Sequence, residues 1–123
     1  MNWLTRLLRP TPKPPATSLE SAPGTESPSM SLPAHAVVID VRSIGEFNSG
    51  HIEGAVCLPL DRIQHDITRV VPDKGTPLLL YCRSGARSAR ACEFVSQLGY
   101  LNTRNGGGIG SLALSLGRRV TRS

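Results

Sequence analysis

From position 36 onward, short unbroken apolar runs alternate with stretches whose apolar residues recur at helical spacing. Ala36-Val37-Val38-Ile39 is a continuous run ending at Asp40-Val41-Arg42, the pattern of a strand buried on both faces. Ser43 and Glu46 stand three apart and predict a capping box for a short helix through Phe47. Gly50 and Gly54 mark a loop, and Ala55 to Leu58 reads as a second strand closed by Pro59. Ile63, Ile67, Val70 and Val71 fall on one helical face, which Pro72 ends. Leu78-Leu79-Leu80-Tyr81 is a third buried strand. Ala91, Phe94, Val95 and Leu98 form an i, i+3, i+4, i+7 stripe with Gly99 as its stop. Leu101 to Arg104 predicts a fourth strand, Gly106-Gly107-Gly108 a turn, and Ile109 to Leu116 a last, weak helix. This alternation implies an α/β fold, a small parallel sheet of four to five strands with helices on both faces. Ligands of such sheets bind beyond the carboxyl ends of the strands, which here means Asp40 to Arg42 and Cys82 to Arg87.

Before this region the pattern disappears. Pro10 to Pro33 is rich in Pro, Ser and Thr and has no apolar periodicity, so positions 1–33 are expected to be a disordered basic tail. The folded domain is expected over 34–117, and 118–123 as a second basic tail carrying Arg118, Arg119 and Arg122. The net charge of +5 owes much to these ends, so it reads as solvated tails. No basic stripe is interleaved with aromatics, and no nucleic-acid partner is expected. No apolar run approaches the ~20 residues of a membrane span, and Arg6, Arg9 and Pro10 interrupt the only candidate leader. Met1 to Arg9 as a short amphipathic membrane contact is weighed and set aside as too short to be stable. Three widely spaced cysteines, Cys57, Cys82 and Cys92, fit neither a disulfide framework nor a metal site, so reduced thiols in the cytoplasm are expected, with no metal. The glycines of 106–110 lack the context of a dinucleotide loop, and no cofactor is expected.

The chemistry concentrates in Tyr81-Cys82-Arg83-Ser84-Gly85-Ala86-Arg87-Ser88, between a strong strand and a strong helix. A tight loop there turns its backbone N–H groups toward the Cys82 sulfur, and Gly85 allows close approach. The helix start and the guanidinium groups of Arg83 and Arg87 add positive charge. Each favours the thiolate, lowering the thiol below its ordinary ~8.5. Such a thiolate can take the outer sulfur of a thiosulfate-like donor and hold it as a persulfide, or it can attack phosphorus. Cysteine phosphatases place five residues between cysteine and arginine; only four separate Cys82 from Arg87, and the smaller ring suits a single sulfur. Cys57 and Cys92 read as core-facing.

Asp40-Val41-Arg42, Glu46-Phe47 and Gly50-His51-Ile52-Glu53-Gly54-Ala55 resemble the front signature of rhodanese domains. The Cys82 loop resembles their active-site loop, and Gly99-Tyr100 with Asn105-Gly106-Gly107 their closing motifs. The resemblance runs from about Val37 to Gly108. It implies a thiosulfate sulfurtransferase with Cys82 as the persulfide-forming nucleophile. By the same resemblance Arg83, Ser84, Gly85, Ala86 and Arg87 are the cradle that binds the substrate, with the arginines drawing in a small anionic donor. Asp40 and Arg42 are supporting residues near the loop, or a buried pair that sets geometry. Glu46 and His51 are framework positions, His51 pinning a loop rather than moving protons. Cyanide or a thiol, such as thioredoxin or glutathione, is the implied acceptor. A non-catalytic partner-binding module and a cysteine phosphatase or arsenate reductase are the alternatives. Two features depart from the family. Its opening strand and helix are replaced by the Pro-rich stretch, and the aromatic residue often found after the glycine pair is missing, with Leu112 and Leu114 nearby.

Overall fold

The apolar runs become the strands of a parallel sheet in the computed structural model, which describes residues 32–123. In chain order the elements are β1 (Val37–Asp40), α1 (Ile44–Ser49), β2 (His51–Ile52), β3 (Val56–Cys57), α2 (Ile63–Val70), β4 (Leu78–Cys82), α3 (Ala86–Gln97), β5 (Thr103–Gly108), α4 (Ile109–Leu116) and β6 (Val120–Thr121). The main sheet has the order β3-β1-β4-β5 and is parallel throughout. The expected four-strand α/β architecture is therefore present. Apart from Leu32 and Pro33, the 1–33 tail and its Met1 to Arg9 segment lie outside the described residues. Leu32 already packs against the core.

Strand parity divides the interior in two. Ile39, Val41, Leu78, Leu80 and Cys82 face one side, where Ile63 and Ile67 of α2 and Ala91 and Val95 of α3 cover them. Val38, Leu79 and Tyr81 face the other, under Leu112 and Ala113 of α4 and Ile52 of β2. Burial on both faces explains why the strands read as unbroken apolar runs. Leu112 supplies bulk where the family's aromatic is missing, and Leu114 points outward, 81% exposed.

Two expectations are corrected. Gly106-Gly107-Gly108 is not a turn; it forms the second half of β5. A Cβ on Gly106 would lie 2.8 Å from Leu112 Cδ2, and one on Gly108 would lie 2.7 Å from the Arg83 carbonyl oxygen. Gly106 and Gly108 are there because neighbouring segments of the chain press against this strand, which side chains would hold apart, and Gly107 because its backbone sits at φ 85°. The pairing also slips within it: Leu80 pairs with Asn105 but Tyr81 with Gly107, so Gly106 is the extra residue of a bulge. The second correction concerns 118–123, which is not a free tail. Gly117 ends α4 in the left-handed region at φ 68° and turns the chain back. Val120 and Thr121 then pair antiparallel with Ile52 and His51. Arg118 Nη1 donates to the Glu53 carbonyl, and Glu53 N–H donates to the Arg119 carbonyl. The physical reason is β2: two isolated extended residues leave backbone groups that need partners, and β6 supplies them.

Candidate active site

Cys82 is the last residue of β4 and Ala86 the first of α3, so the connecting loop is only Arg83-Ser84-Gly85. Gly85 makes this turn possible at φ 102°, and a Cβ there would come within 3.2 Å of Gly107 Cα. The turn aims the Gly85 N–H at Cys82 Sγ, 2.9 Å away. One turn into α3, the fully buried Ser88 puts its hydroxyl 3.6 Å from the same sulfur. Cys82 is 1% exposed, while Arg83, Ser84 and Ala86 are open to solvent. The sulfur thus lies beneath the loop with main-chain donors turned in toward it.

Burial alone pushes the Cys82 thiol up. Hydrogen bonds from the Ser88 hydroxyl and from the Ser88, Gly85 and Ser84 amides outweigh it, so the pKa is lowered to about 7. Local donors lead this shift, whereas the sequence directs attention equally to the flanking arginines. The reason lies in where those arginines go. Arg87 is held in a two-pronged ion pair, Nη1 to Glu46 Oε1 at 2.8 Å and Nη2 to Oε2 at 3.1 Å. Its charge is largely answered by Glu46, whose carboxyl is in turn lowered to about 2 by Arg87 first and by the Ser43 amide. The capping box expected at Ser43 and Glu46 is formed, so one carboxylate closes α1 and clamps the end of the cysteine loop. Arg83 has no ion-pair partner among the described residues. It lines a cleft of about 410 Å³ together with Arg42, Glu46, Ser49, Gly50 and Ile109.

Asp40 and Arg42 lie close by and pair with each other. Arg42 folds back on Asp40, with Nη2 to Oδ2 at 2.7 Å and Nε shared between both carboxylate oxygens. Its remaining bond goes to the Gly50 carbonyl at 2.6 Å. Both residues are buried, so the pair fixes the end of β1 against the α1–β2 junction. Among the described residues no side-chain hydrogen bond runs from either to residues 83–87, and Asp40 acts on Arg87 through charge. His51 donates from Nδ1 to the Phe47 carbonyl at 2.8 Å and stacks on the Phe47 ring with centroids 3.7 Å apart. A carbonyl only accepts, so this bond places the proton on Nδ1. That suits a loop pin. Cys92 packs against the first core and its thiol is pushed up to about 11 by burial. Cys57 is half-buried at the end of edge strand β3, 3.9 Å from the Arg42 carbonyl, and outside both cores. The core-facing reading therefore holds for Cys92 and not for Cys57.

Sequence reasoning assigns no site role to Ser88 or Asn105, and the structure brings both to the loop. Ser88 Oγ donates to Asn105 Oδ1 at 2.6 Å, and Asn105 Nδ2 donates to the Gly85 carbonyl at 3.1 Å. Ser88 had a legible signal, a hydroxyl one helical turn past Gly85. Asn105 had only its place in the closing motif, which gives no role, because its partners are 17 and 20 positions away.

Comparison with known proteins agrees with this geometry. The rhodanese-like domain family matches residues 27–109. The thiosulfate sulfurtransferase PspE of Escherichia coli (strain K12) is 36% identical over 86 residues, which cover 68% of this chain and 83% of that protein. The thiosulfate sulfurtransferase GlpE of Shewanella oneidensis is 32% identical over 63 residues, 51% of this chain and 60% of that one. A solved structure described as rhodanese with anions from E. coli superposes with a TM-score of 0.65 at 30% identity, covering 72% of this chain and 99% of its own.

Proposed function

The chain belongs to the rhodanese-like domain family and is an enzyme of the thiosulfate sulfurtransferase type, and from that premise we propose that it carries sulfur as a persulfide on Cys82. The Cys82 thiolate attacks the outer sulfur of thiosulfate. The S–S bond of the donor breaks, sulfite leaves with its electron pair, and Cys82 keeps the sulfur as an anionic persulfide. An acceptor then attacks the outer persulfide sulfur. Cyanide leaves as thiocyanate, a thiolate leaves as a new persulfide, and the Cys82 thiolate returns. No net proton or electron is required, in keeping with a loop that offers donors to an anion and no general acid.

The observation that carries the reading is the Gly85 N–H at 2.9 Å from Sγ, in a loop with only four residues between Cys82 and Arg87. The ring closes directly on one sulfur atom. An anionic persulfide inherits the donors that favour the thiolate. The donor's charge is met at Arg83, which lines the cleft without an ion pair among the described residues, more than at Arg87, which Glu46 occupies. The E. coli structure is described as a rhodanese with anions, in keeping with an anionic donor for this fold. Protein or small-molecule thiols, thioredoxin and glutathione among them, are the acceptors the chemistry admits.

Intact mass spectrometry after incubation with thiosulfate tests the proposal. The expected gain is one sulfur, about 32 Da, absent in Cys82→Ser and removed by cyanide. An unmodified protein that hydrolyses a phosphate monoester would refute it, and an unmodified protein without turnover would favour a binding module.

A further inference from the structure

Two of the sulfur's donor groups, the Gly85 N–H and the Ser88 hydroxyl, belong to residues that converge on one side chain of β5. Asn105 Nδ2 donates to the Gly85 carbonyl at 3.1 Å, and Asn105 Oδ1 accepts from Ser88 Oγ at 2.6 Å. The same Oδ1 accepts from the Gly107 N–H at 2.9 Å, which fixes which end of the amide is oxygen. The bulge at Gly106 makes this possible. It shifts the pairing partner of Tyr81 to Gly107, leaving the Gly107 N–H to bond the side chain two residues back. Strand parity puts Asn105, the partner of Leu80, on the α3 side of the sheet, where Cys82 also points.

We propose that Asn105 is a positioning residue for the sulfur cradle, holding Gly85 and Ser88 at the spacing that lets both donate to Cys82. It touches no reacting atom. Ser88 has a single hydroxyl hydrogen and three acceptors within reach: Asn105 Oδ1 at 2.6 Å, the Gly85 carbonyl at 3.1 Å and Sγ at 3.6 Å. When Cys82 is a neutral thiol, the hydrogen lies on the short bond to Asn105. When sulfur carries charge, as thiolate or persulfide, the hydroxyl rotates toward it without the oxygen moving. In both states Asn105 Nδ2 keeps its hold on the Gly85 carbonyl, so the turn that aims the Gly85 N–H at sulfur stays fixed while the Ser88 hydrogen changes partner. Without this tether, Ser88 and the Gly85 apex relax toward solvent and sulfur loses aligned donors.

This inference rests on the persulfide reading, but its test is independent of turnover. The rate of Cys82 alkylation by iodoacetamide is followed against pH, with the modified peptide identified by mass, in wild type, Asn105→Ala, Ser88→Ala and the double variant. Each single variant is expected to move the titration midpoint upward by about half a pH unit or more, lowering the alkylation rate at pH 6 about threefold. The double variant is expected to exceed Ser88→Ala, because Asn105 also holds Gly85, and to fall short of the summed single effects, because the two side chains share one hydrogen bond. An Asn105→Ala midpoint equal to wild type, with only a lower Tm, overturns the proposal in favour of a purely structural strut. A downward midpoint overturns it as well, since Asn105 would then be withholding the Ser88 hydrogen. Failure of the persulfide reading looks different: normal titration shifts with no sulfur adduct on Cys82.

Discussion

Gly108→Ala is the substitution that most directly connects the packing of β5 to the chemistry of Cys82. Gly108 pairs with Cys82, and an added Cβ would sit 2.7 Å from the Arg83 carbonyl oxygen. Even a favourable C–H···O contact sits at about 3.3–3.6 Å, so the carbonyl must retreat by about 0.6 Å. That oxygen belongs to the peptide unit whose N–H is Ser84, one of the amides that lowers the Cys82 thiol. The peptide is planar, so pushing its oxygen tilts its N–H away from sulfur. Two effects follow from one methyl group. Overpacking against backbone costs about 1–3 kcal/mol of stability. Loss of one charge-assisted hydrogen bond, about 1.5–3 kcal/mol, raises the Cys82 pKa by about one unit or more. Sulfur uptake from thiosulfate at pH 6 is then expected to fall about tenfold beyond any loss of folded protein. Urea unfolding and a pH series of thiocyanate formation measure the two effects separately. Two neighbours serve as controls. Gly107→Ala meets nothing within 4 Å but sits at φ 85°, so it costs about 1–2 kcal/mol of backbone strain. Gly110→Ala meets nothing and lies in α4, where alanine stabilises by about 0.4–1 kcal/mol. A Gly108→Ala protein with the parent's stability and pH profile would refute the link between β5 packing and the sulfur cradle.

Sulfur uptake is expected to follow the thiolate fraction of a group titrating at about 7: rising about tenfold per pH unit below that point and flat above it, as stopped-flow sulfite release would report. The same shift contributes to stability, with the sign set by the lowered folded pKa. The contribution is fully present above the unfolded thiol's value near 9 and lost as pH falls through about 7, so Cys82→Ser is expected to lack this gain in urea titrations. Arg83→Ala is expected to raise KM for thiosulfate severalfold, while Arg87→Ala, which strands Glu46, raises it less and lowers Tm more; steady-state kinetics with calorimetry decide between them. Asp40→Asn leaves the buried Arg42 guanidinium without its counter-charge and is expected to cost about 3–5 kcal/mol in urea unfolding, since both partners are enclosed.

Sequence by itself determined most of the elements and where the candidate nucleophile sits among them. The apolar runs at Val37–Ile39 and Leu78–Tyr81 and the stripe from Ala91 to Leu98 are local periodicities, and local backbone geometry converts them directly into strands and a helix. The same holds for the box at Ser43 and Glu46, whose partners are three residues apart, and for Cys82, which strand-to-helix punctuation places at a strand's carboxyl end. Tertiary structure alone decided what those residues touch. Arg87 meets a carboxylate 41 positions away, Asn105 reaches back to Gly85 and Ser88, and the last residues return to pair with β2. The three glycines at 106–108 look like a turn locally because the residue that frees the backbone is also the residue that removes bulk. Which property is in use depends on whether another chain segment, here Leu112 or the Arg83 carbonyl, presses against it, and that is settled only when strands and helices pack.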